Sequence, residues 1–284
     1  MSIDTSFGKI FREFRKAKNY TLKETANDII SSGQLSNFEN GKSMISMDTF
    51  FHLLENINVS ISEFQYAYNF FSTDKNFGKE KTVAYMTGNL LQLQHLLAKH
   101  EKRLEDNPKS QKYLLEKIAM KAFMLLLDPQ YNLPESEIHY LKNYLNGIKE
   151  WGEFEIKLLG HSAKVFDLAT LSLLTHKMIS PTQKSIKNPE IKKMIIRASL
   201  NILSLFIDNR QFALAQSLIV YLEEANIHEY DLYEKITFIY QKSLYQFKLG
   251  DKEAIKAMRK CQNIFEFAEC HQLAQMIDFE INAL

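Results

Sequence analysis

The chain has 284 residues, 45% of them hydrophobic, with 35 Lys and Arg against 34 Asp and Glu and a formal net charge of +1. That much apolar material supports a large core and excludes a disordered chain, while the balanced charge excludes a globally basic surface, so any contact with nucleic acid has to be local. No stretch approaches the ~20 apolar residues of a membrane span and no N-terminal apolar segment of the signal-peptide kind occurs, so a soluble, cytoplasmic protein with no membrane contact is expected.

Five prolines, nine glycines and few β-branched runs point to helix throughout. Phe7, Ile10, Phe11 and Phe14 recur at helical spacing and define a first amphipathic helix. The same segment, Lys9 to Lys18, holds five cations and one anion, Glu13. It reads either as a phosphate-facing stripe or as a solvated face. Asn19-Tyr20 breaks the helix. Thr21 with Glu24 three residues on is a capping box that opens a short second helix reaching about Asp28. A turn at 29–32 leads to the stretch SGQLSNFENGK (32–42), with Gly41 placed as a left-handed C-cap. Ser46 caps a fourth helix with Phe50, Leu53, Leu54 and Ile57 inside. Ser60 or Ser62 opens a fifth, with Ile61, Phe64 and Tyr68 facing in.

The third helix carries an unusual outer face. Leu35 and Phe38 anchor it inward, and Ala26 lets the second helix cross closely. What remains outside is Ser32, Gln34, Ser36 and Asn37, short hydrogen-bonding groups with little charge. Gln and Asn match adenine edges in pairs, and Ser adapts to several edges. Short helix, tight turn and second short helix is a helix-turn-helix. Lys23 and the amides at the start of the second helix, with Thr21 as its cap, suit phosphate oxygens, and Lys42, Arg12, Arg15 and Lys16 suit further backbone contacts.

TLKETA…QLSNFENGK resembles the lambda-repressor/Cro type of helix-turn-helix, whose consensus runs near T-Q-x-x-L-A…I-S-x-I-E-x-G-K; the likeness covers residues 7–66. Leu22 stands where many members place a phosphate-contacting Gln, Asn37 stands where Arg is common, and the turn is one residue short and lacks Gly. These departures weaken electrostatic contact, and a dimer on a two-fold operator would compensate.

Residues 71–81 turn polar and read as a linker between a DNA-binding domain (1–70) and a second domain (82–284). Beyond it the periodicity predicts ten longer helices: 82–104, 109–127, 135–147, 150–160, 163–178, 190–208, 211–225, 231–248, 251–266 and 268–282. Pro108, Pro134 and Pro189 sit at helix starts, and Pro129 and Pro181 in connections. NRQFALAQSLIVYLEEA from Asn209 and GDKEAIKAMRKCQNIFEFA from Gly250 each follow a helix, open with a polar turn and place small Ala residues inside. An offset near 40 fits a helical-hairpin repeat. The expected fold is therefore all-α: a five-helix helix-turn-helix domain followed by a tetratricopeptide-like right-handed array of antiparallel helix pairs, with an irregular helical bundle as the alternative.

The helix KKMIIRASLNILSLFID is apolar nearly all round and should be buried, yet Arg197, Asn201 and Ser204 lie along one face of it. A buried Arg needs a partner: an internal carboxylate such as Glu155 or Glu234, or the carboxylate or backbone of a bound peptide. Tyr240, Gln241 and Tyr245 on the helix 231–248 are further pocket candidates, and Trp151 belongs to the core. Over its full length the chain resembles the Rgg/GadR/MutR family of Gram-positive transcription regulators, in EWGEFEIKLLGHS (150–162), LLTHKMI (173–179) and the apolar helix around Arg197. The resemblance implies a homodimer whose repeats bind a short hydrophobic signalling peptide, as in quorum sensing.

Cys261 and Cys270 are nine apart, the wrong spacing for a metal or redox pair, and are expected to be free buried thiols. No metalloprotease, nucleophile-elbow, P-loop or dinucleotide motif occurs, so no cofactor, metal or catalytic activity is expected. The remaining alternatives are the same regulator without a peptide ligand, and a helical-repeat scaffold with a vestigial DNA domain.

Overall fold

The computed structural model describes residues 5–71, 80, 83–84, 87–128, 130–131, 133–180 and 182–284. Most of the expected linker, the start of the helix expected at 82, and Pro129 and Pro181 lie outside the described residues. Among the described residues every regular element is a helix. Contacts divide the chain into two compact units, Met1–Met86 and Thr87–Leu284.

The described residues of the first unit include the helices α1 (Ser6–Ala17), α2 (Leu22–Ala26), α3 (Ser32–Glu39), α4 (Met47–Asn56) and α5 (Ile61–Phe71). Asn19, left-handed at φ 60°, follows the end of α1. Thr21 caps α2 through the expected box with Glu24, and Asn27 and Asp28 then take left-handed φ of 34° and 61°. Asn and Asp tolerate that region best after Gly, which is how this turn does without glycine. Ser60 is the cap of α5: its hydroxyl accepts from Glu63 N at 3.1 Å, and its own N–H donates to Glu63 at 2.7 Å. Phe11, Leu35, Phe38, Leu53 and Leu54 form the core, with Phe50 edge-on to Phe64 at 4.8 Å. Ile61, expected inside, is 52% exposed, since the helix begins at that residue and its first turn projects beyond the core.

Among the described residues ten α-helices build the second unit: α6 (Leu90–Asp106), α7 (Gln111–Leu127), α8 (Glu135–Gly147), α9 (Glu153–Ser162), α10 (Leu168–Met178), α11 (Pro189–Asp208), α12 (Phe212–Glu224), α13 (Leu232–Lys248), α14 (Ala254–Phe267) and α15 (His271–Asn282). Consecutive helices pack together from α6 to α8 and from α10 to α15. Helices also pack on the next but one: α7 on α9, α9 on α11, α11 on α13, and α8 on α10. That is a two-layered stack of hairpins. The two repeat-like segments fall on α12 and α14, the second helices of successive hairpins.

Trp151 is buried at 1% exposure, and its backbone N–H donates to Gln183 Oε1 at 2.8 Å. Gly152 precedes α9, and its N–H donates to Glu155 Oε2 at 2.9 Å while Tyr144 Oη donates to Glu155 Oε1 at 2.7 Å. Lys177 reaches the last carbonyls of α8, Leu145 and Asn146, and burial lowers its pKa. The Trp-Gly-x-Phe-Glu and Leu-Leu-Thr-His-Lys stretches thus tie α8, α9 and α10 together. Cys261 is buried as expected, but Cys270 is exposed because it sits at the turn between α14 and α15.

Candidate functional site

In the first unit α3 is held from beneath by α1. The Cβ of any residue at Gly8 would fall 1.9 Å from the Phe38 carbonyl oxygen, so the two helices touch backbone to backbone. Beside that contact Arg15 Nε and Nη2 donate to Glu39 Oε1 and Oε2 at 2.6 and 2.7 Å, and Nη1 donates to the Tyr20 carbonyl at 2.7 Å. Both side chains are buried. The hydrogen bonds to Glu39 outweigh burial and raise the Arg15 pKa. This corrects the expectation for Arg15: its fork is consumed inside the domain, fixing α3 on α1, and is not offered to phosphate. Glu39, to which sequence reasoning gave no role, is its partner.

The outer face of α3 is exposed as its composition suggests. The cap is Ser31, and Ser32 takes the first helical position and is half-buried. Ser31 Oγ accepts from Gln34 N at 3.1 Å, and Gln34 Oε1 accepts from Ser31 N at 3.0 Å. The Gln34 carbonyl is therefore spent on the cap and its amide NH2 alone faces outward, so paired reading of adenine would break the cap. Asn37 is exposed, and among the described residues nothing takes its amide. Ser36 is half-buried, with its hydroxyl near Asn40 Nδ2 at 3.4 Å. Arg12 Nη1 donates to Asn40 Oδ1 at 3.0 Å, and Lys16, Lys23 and Lys42 are exposed. Thr21 is exposed, with its hydroxyl donating to Glu24 at 2.7 Å. Gly41 follows α3 at φ 69° with the Thr5 side chain against it, a position closed to other residues by conformation and by space.

In the second unit α11 presents a polar stripe, Lys193, Arg197, Asn201, Ser204 and Asp208, on a helix whose residues between 195 and 207 are otherwise buried or half-buried. Lys193 pairs with Asp231, and Arg197 Nε donates to Glu234 Oε1 at 2.5 Å. Both partners advance together along α13, so α11 and α13 run parallel. Arg197, expected to be buried, is 57% exposed in its side chain; the buried member is Glu234, at 2%. Of the two internal carboxylates considered, Glu234 is the partner, while Glu155 caps α9. Asn201 is exposed and Ser204 Oγ donates to Asp208 at 3.4 Å.

The tyrosines of α13 do not line this stripe. Tyr240 is buried and donates to Glu280 Oε2 on α15 at 2.6 Å, with burial and that bond raising its pKa. Tyr245 is buried edge-on to Phe212. Both are core residues, which corrects their expected place in a pocket. Gln241 is buried too, but its Oε1 finds no donor among the described residues. Continuing the register of the two ion pairs places it level with Ser204. A cleft of about 510 Å³, which sequence reasoning missed, opens at the far end of the stripe between the end of α7, the start of α10 and the end of α11, lined among others by Leu125, Phe166, Asp167, Leu205 and Asp208.

A helix-turn-helix clamped from below and exposing a short-polar helix, joined in one chain to a two-layered helical array, defines a DNA-binding regulator of transcription. Residues 94–278 match the family described as HTH-type transcriptional regulator Rgg, C-terminal domain, and residues 8–69 match a helix-turn-helix domain family. The chain belongs to the Rgg family of transcriptional regulators. It is similar to the Streptococcus dysgalactiae SHP pheromone receptor Rgg2 in crystal structure, at 27% identity and a TM-score of 0.81 over 97% of this chain and 98% of that one. A transcriptional regulator from Listeria monocytogenes shares the fold at 19% identity and TM-score 0.81, covering 98% of this chain and 96% of that. So does PrgX in complex with cCF10, at 20% identity and TM-score 0.72, covering 98% and 92%. No helix among the described residues is long and apolar enough to cross a membrane.

Proposed function

We propose that the protein is a cytoplasmic, homodimeric regulator whose residues 1–70 bind a two-fold operator and whose residues 82–284 bind a short hydrophobic peptide that controls it. On the DNA side Asn37 and the Gln34 NH2 meet base edges, Ser32 and Ser36 flank them, and Lys16, Lys23, Lys42, Arg12 and the Thr21 segment meet phosphates. On the peptide side Arg197, Asn201, Ser204 and Gln241 form the polar track. The single observation that carries the peptide reading is the half-exposed Arg197 and exposed Asn201 on the face of a long helix whose other faces are buried. A solvated face needs no Arg held by a buried carboxylate, whereas a recognition face does. The likeness to a pheromone receptor supports the same reading. Peptide acts by binding one dimer geometry more tightly than another and shifting the population toward it.

The test is fluorescence anisotropy of labelled apolar peptides of roughly 7–12 residues, drawn from small open reading frames beside the gene, titrated with the full-length protein. Saturable binding lost in Arg197→Ala and in Asn201→Ala is expected. Arg197→Lys separates structure from recognition: it leaves Glu234 a cation but removes the planar fork. Normal thermal unfolding with lost peptide binding supports the reading. Intact DNA binding with no response to any such peptide would instead favour a regulator without a peptide ligand.

A further inference from the structure

The polar stripe of α11 is not symmetrical along its length. Its first half carries Arg197, whose Nε alone is taken by Glu234, so the remaining donors of the fork are available for an anion. Its far end carries Asp208, exposed and accepting only a long hydrogen bond from Ser204. Asp167 lines the same cleft; its carboxylate accepts from Thr170 N at 2.8 Å and Thr170 Oγ1 at 2.6 Å, bonds that lower its pKa and keep it ionised. Among the described residues lining the cleft Lys164 is the one cation, against two carboxylates. The end of α11 adds the partial negative charge of its last carbonyls at the same place. Between the charges the cleft offers Leu125, Phe166 and Leu205 to an apolar side chain.

Resting on the peptide-receptor reading, we infer that the bound peptide runs antiparallel to α11, its N-terminal amine at Asp208 and its C-terminal carboxylate at Arg197. The spacing sets a length. Arg197 and Asp208 are eleven residues apart on a helix, about 16 Å. An extended chain spans that in about five residues, so peptides of roughly six to eight residues reach both ends and tripeptides cannot. Between the two ends, exposed Asn201 is placed to bond the peptide backbone.

The probes are synthetic apolar octapeptides of Leu, Ile, Val, Phe and Gly, pooled, with free ends, N-acetylated or C-amidated, selected on the full-length protein and quantified by mass spectrometry. Acetylation should weaken binding about ten- to hundredfold, the worth of a hydrogen bond between charged groups. Asp208→Asn should cost a similar factor and abolish the difference between free and acetylated peptides, while amidation still weakens binding to that variant. Asp208 is exposed, so the variant is expected to unfold at the wild-type temperature. Free peptides that bind Asp208→Asn as tightly as wild type, or that tolerate acetylation, overturn the orientation and leave the receptor reading standing. Peptides whose binding is strengthened by acetylation in an Arg197-dependent manner would show the opposite polarity and overturn the orientation. Failure of every pool to bind overturns the receptor reading and the orientation with it.

Discussion

Removing either member of the Arg15–Glu39 pair should loosen the DNA-reading helix more than any surface change in the first unit. Arg15→Met leaves a carboxylate at 3% exposure with no cation, and Glu39→Leu leaves a guanidinium with one carbonyl for company. Breaking a buried pair from one side costs about 3–5 kcal/mol. Replacing both charges together removes the orphaned charge, so the double variant should lose far less, about 1–2 kcal/mol, chiefly for the donor withdrawn from the Tyr20 carbonyl. Hydrogen exchange followed by mass spectrometry reads the difference locally, on peptides spanning residues 32–41. A loss of 3 kcal/mol accelerates their exchange more than about a hundredfold. Single variants whose exchange changes less than about fivefold, or a double variant as damaged as the sum of the singles, would refute the argument that α3 is held by this pair.

Gly8→Ala should cost about 3 kcal/mol or more in the same exchange experiment, because its Cβ would meet backbone at Phe38 and neither helix can yield without moving the core. On operator DNA, Lys42→Ala should weaken all sequences alike and reduce the salt slope by about one, whereas Asn37→Ala should flatten sequence preference by about 1–3 kcal/mol; anisotropy titrations at several salt concentrations separate the two. Acid should destabilise the second unit through Glu137. Burial pushes its pKa up, but hydrogen bonds from Lys121 and Lys117 outweigh this and hold it below the ordinary value. A depressed carboxylate stabilises above its unfolded pKa of about 4.3 and loses that contribution as pH falls through the folded value, so urea midpoints followed by Trp151 fluorescence should drop below about pH 4, and less so in Glu137→Gln.

Helix existence and ends were largely legible because period and punctuation agreed. Glu135–Gly147 emerges at its expected limits, and Pro189 with its Asn188 cap opens α11 within a residue of expectation. Misreadings arose where a charged residue occupied a core position. Arg15 lies four residues after Phe11 and Glu39 four after Leu35, each on the apolar face of its helix. Opposite charges at such positions on two crossing helices are a signature of a buried pair, but counting cations along α1 hides it. On α11 the error ran the other way. Lys193, Arg197, Asn201, Ser204 and Asp208 recur every three or four residues, a narrow solvent-facing track that the apolar average of the helix masked. The cleft beside Asp208 draws on three separate segments of the chain, and no local pattern in one sequence records that meeting.

The Arg197–Glu234 pair constrains how any anion is received. Glu234 is buried, so a ligand that took Arg197 away entirely would leave an ionised carboxylate with only Lys193 nearby, and Lys193 is already held by Asp231. That cost would consume much of what a short peptide gains. Sharing avoids it: Nε stays on Glu234 and the rest of the fork turns outward, already oriented before the ligand arrives. In the proposed peptide site Glu234 is thereby the support that fixes Arg197 in place, and Asp231 does the same for Lys193. Charge contributed in this way fixes direction and register more than affinity. Affinity for an apolar peptide has to come from buried side chains such as those admitted by the cleft beside Leu205. The proposed orientation therefore predicts discrimination among equally hydrophobic peptides by where their ends fall.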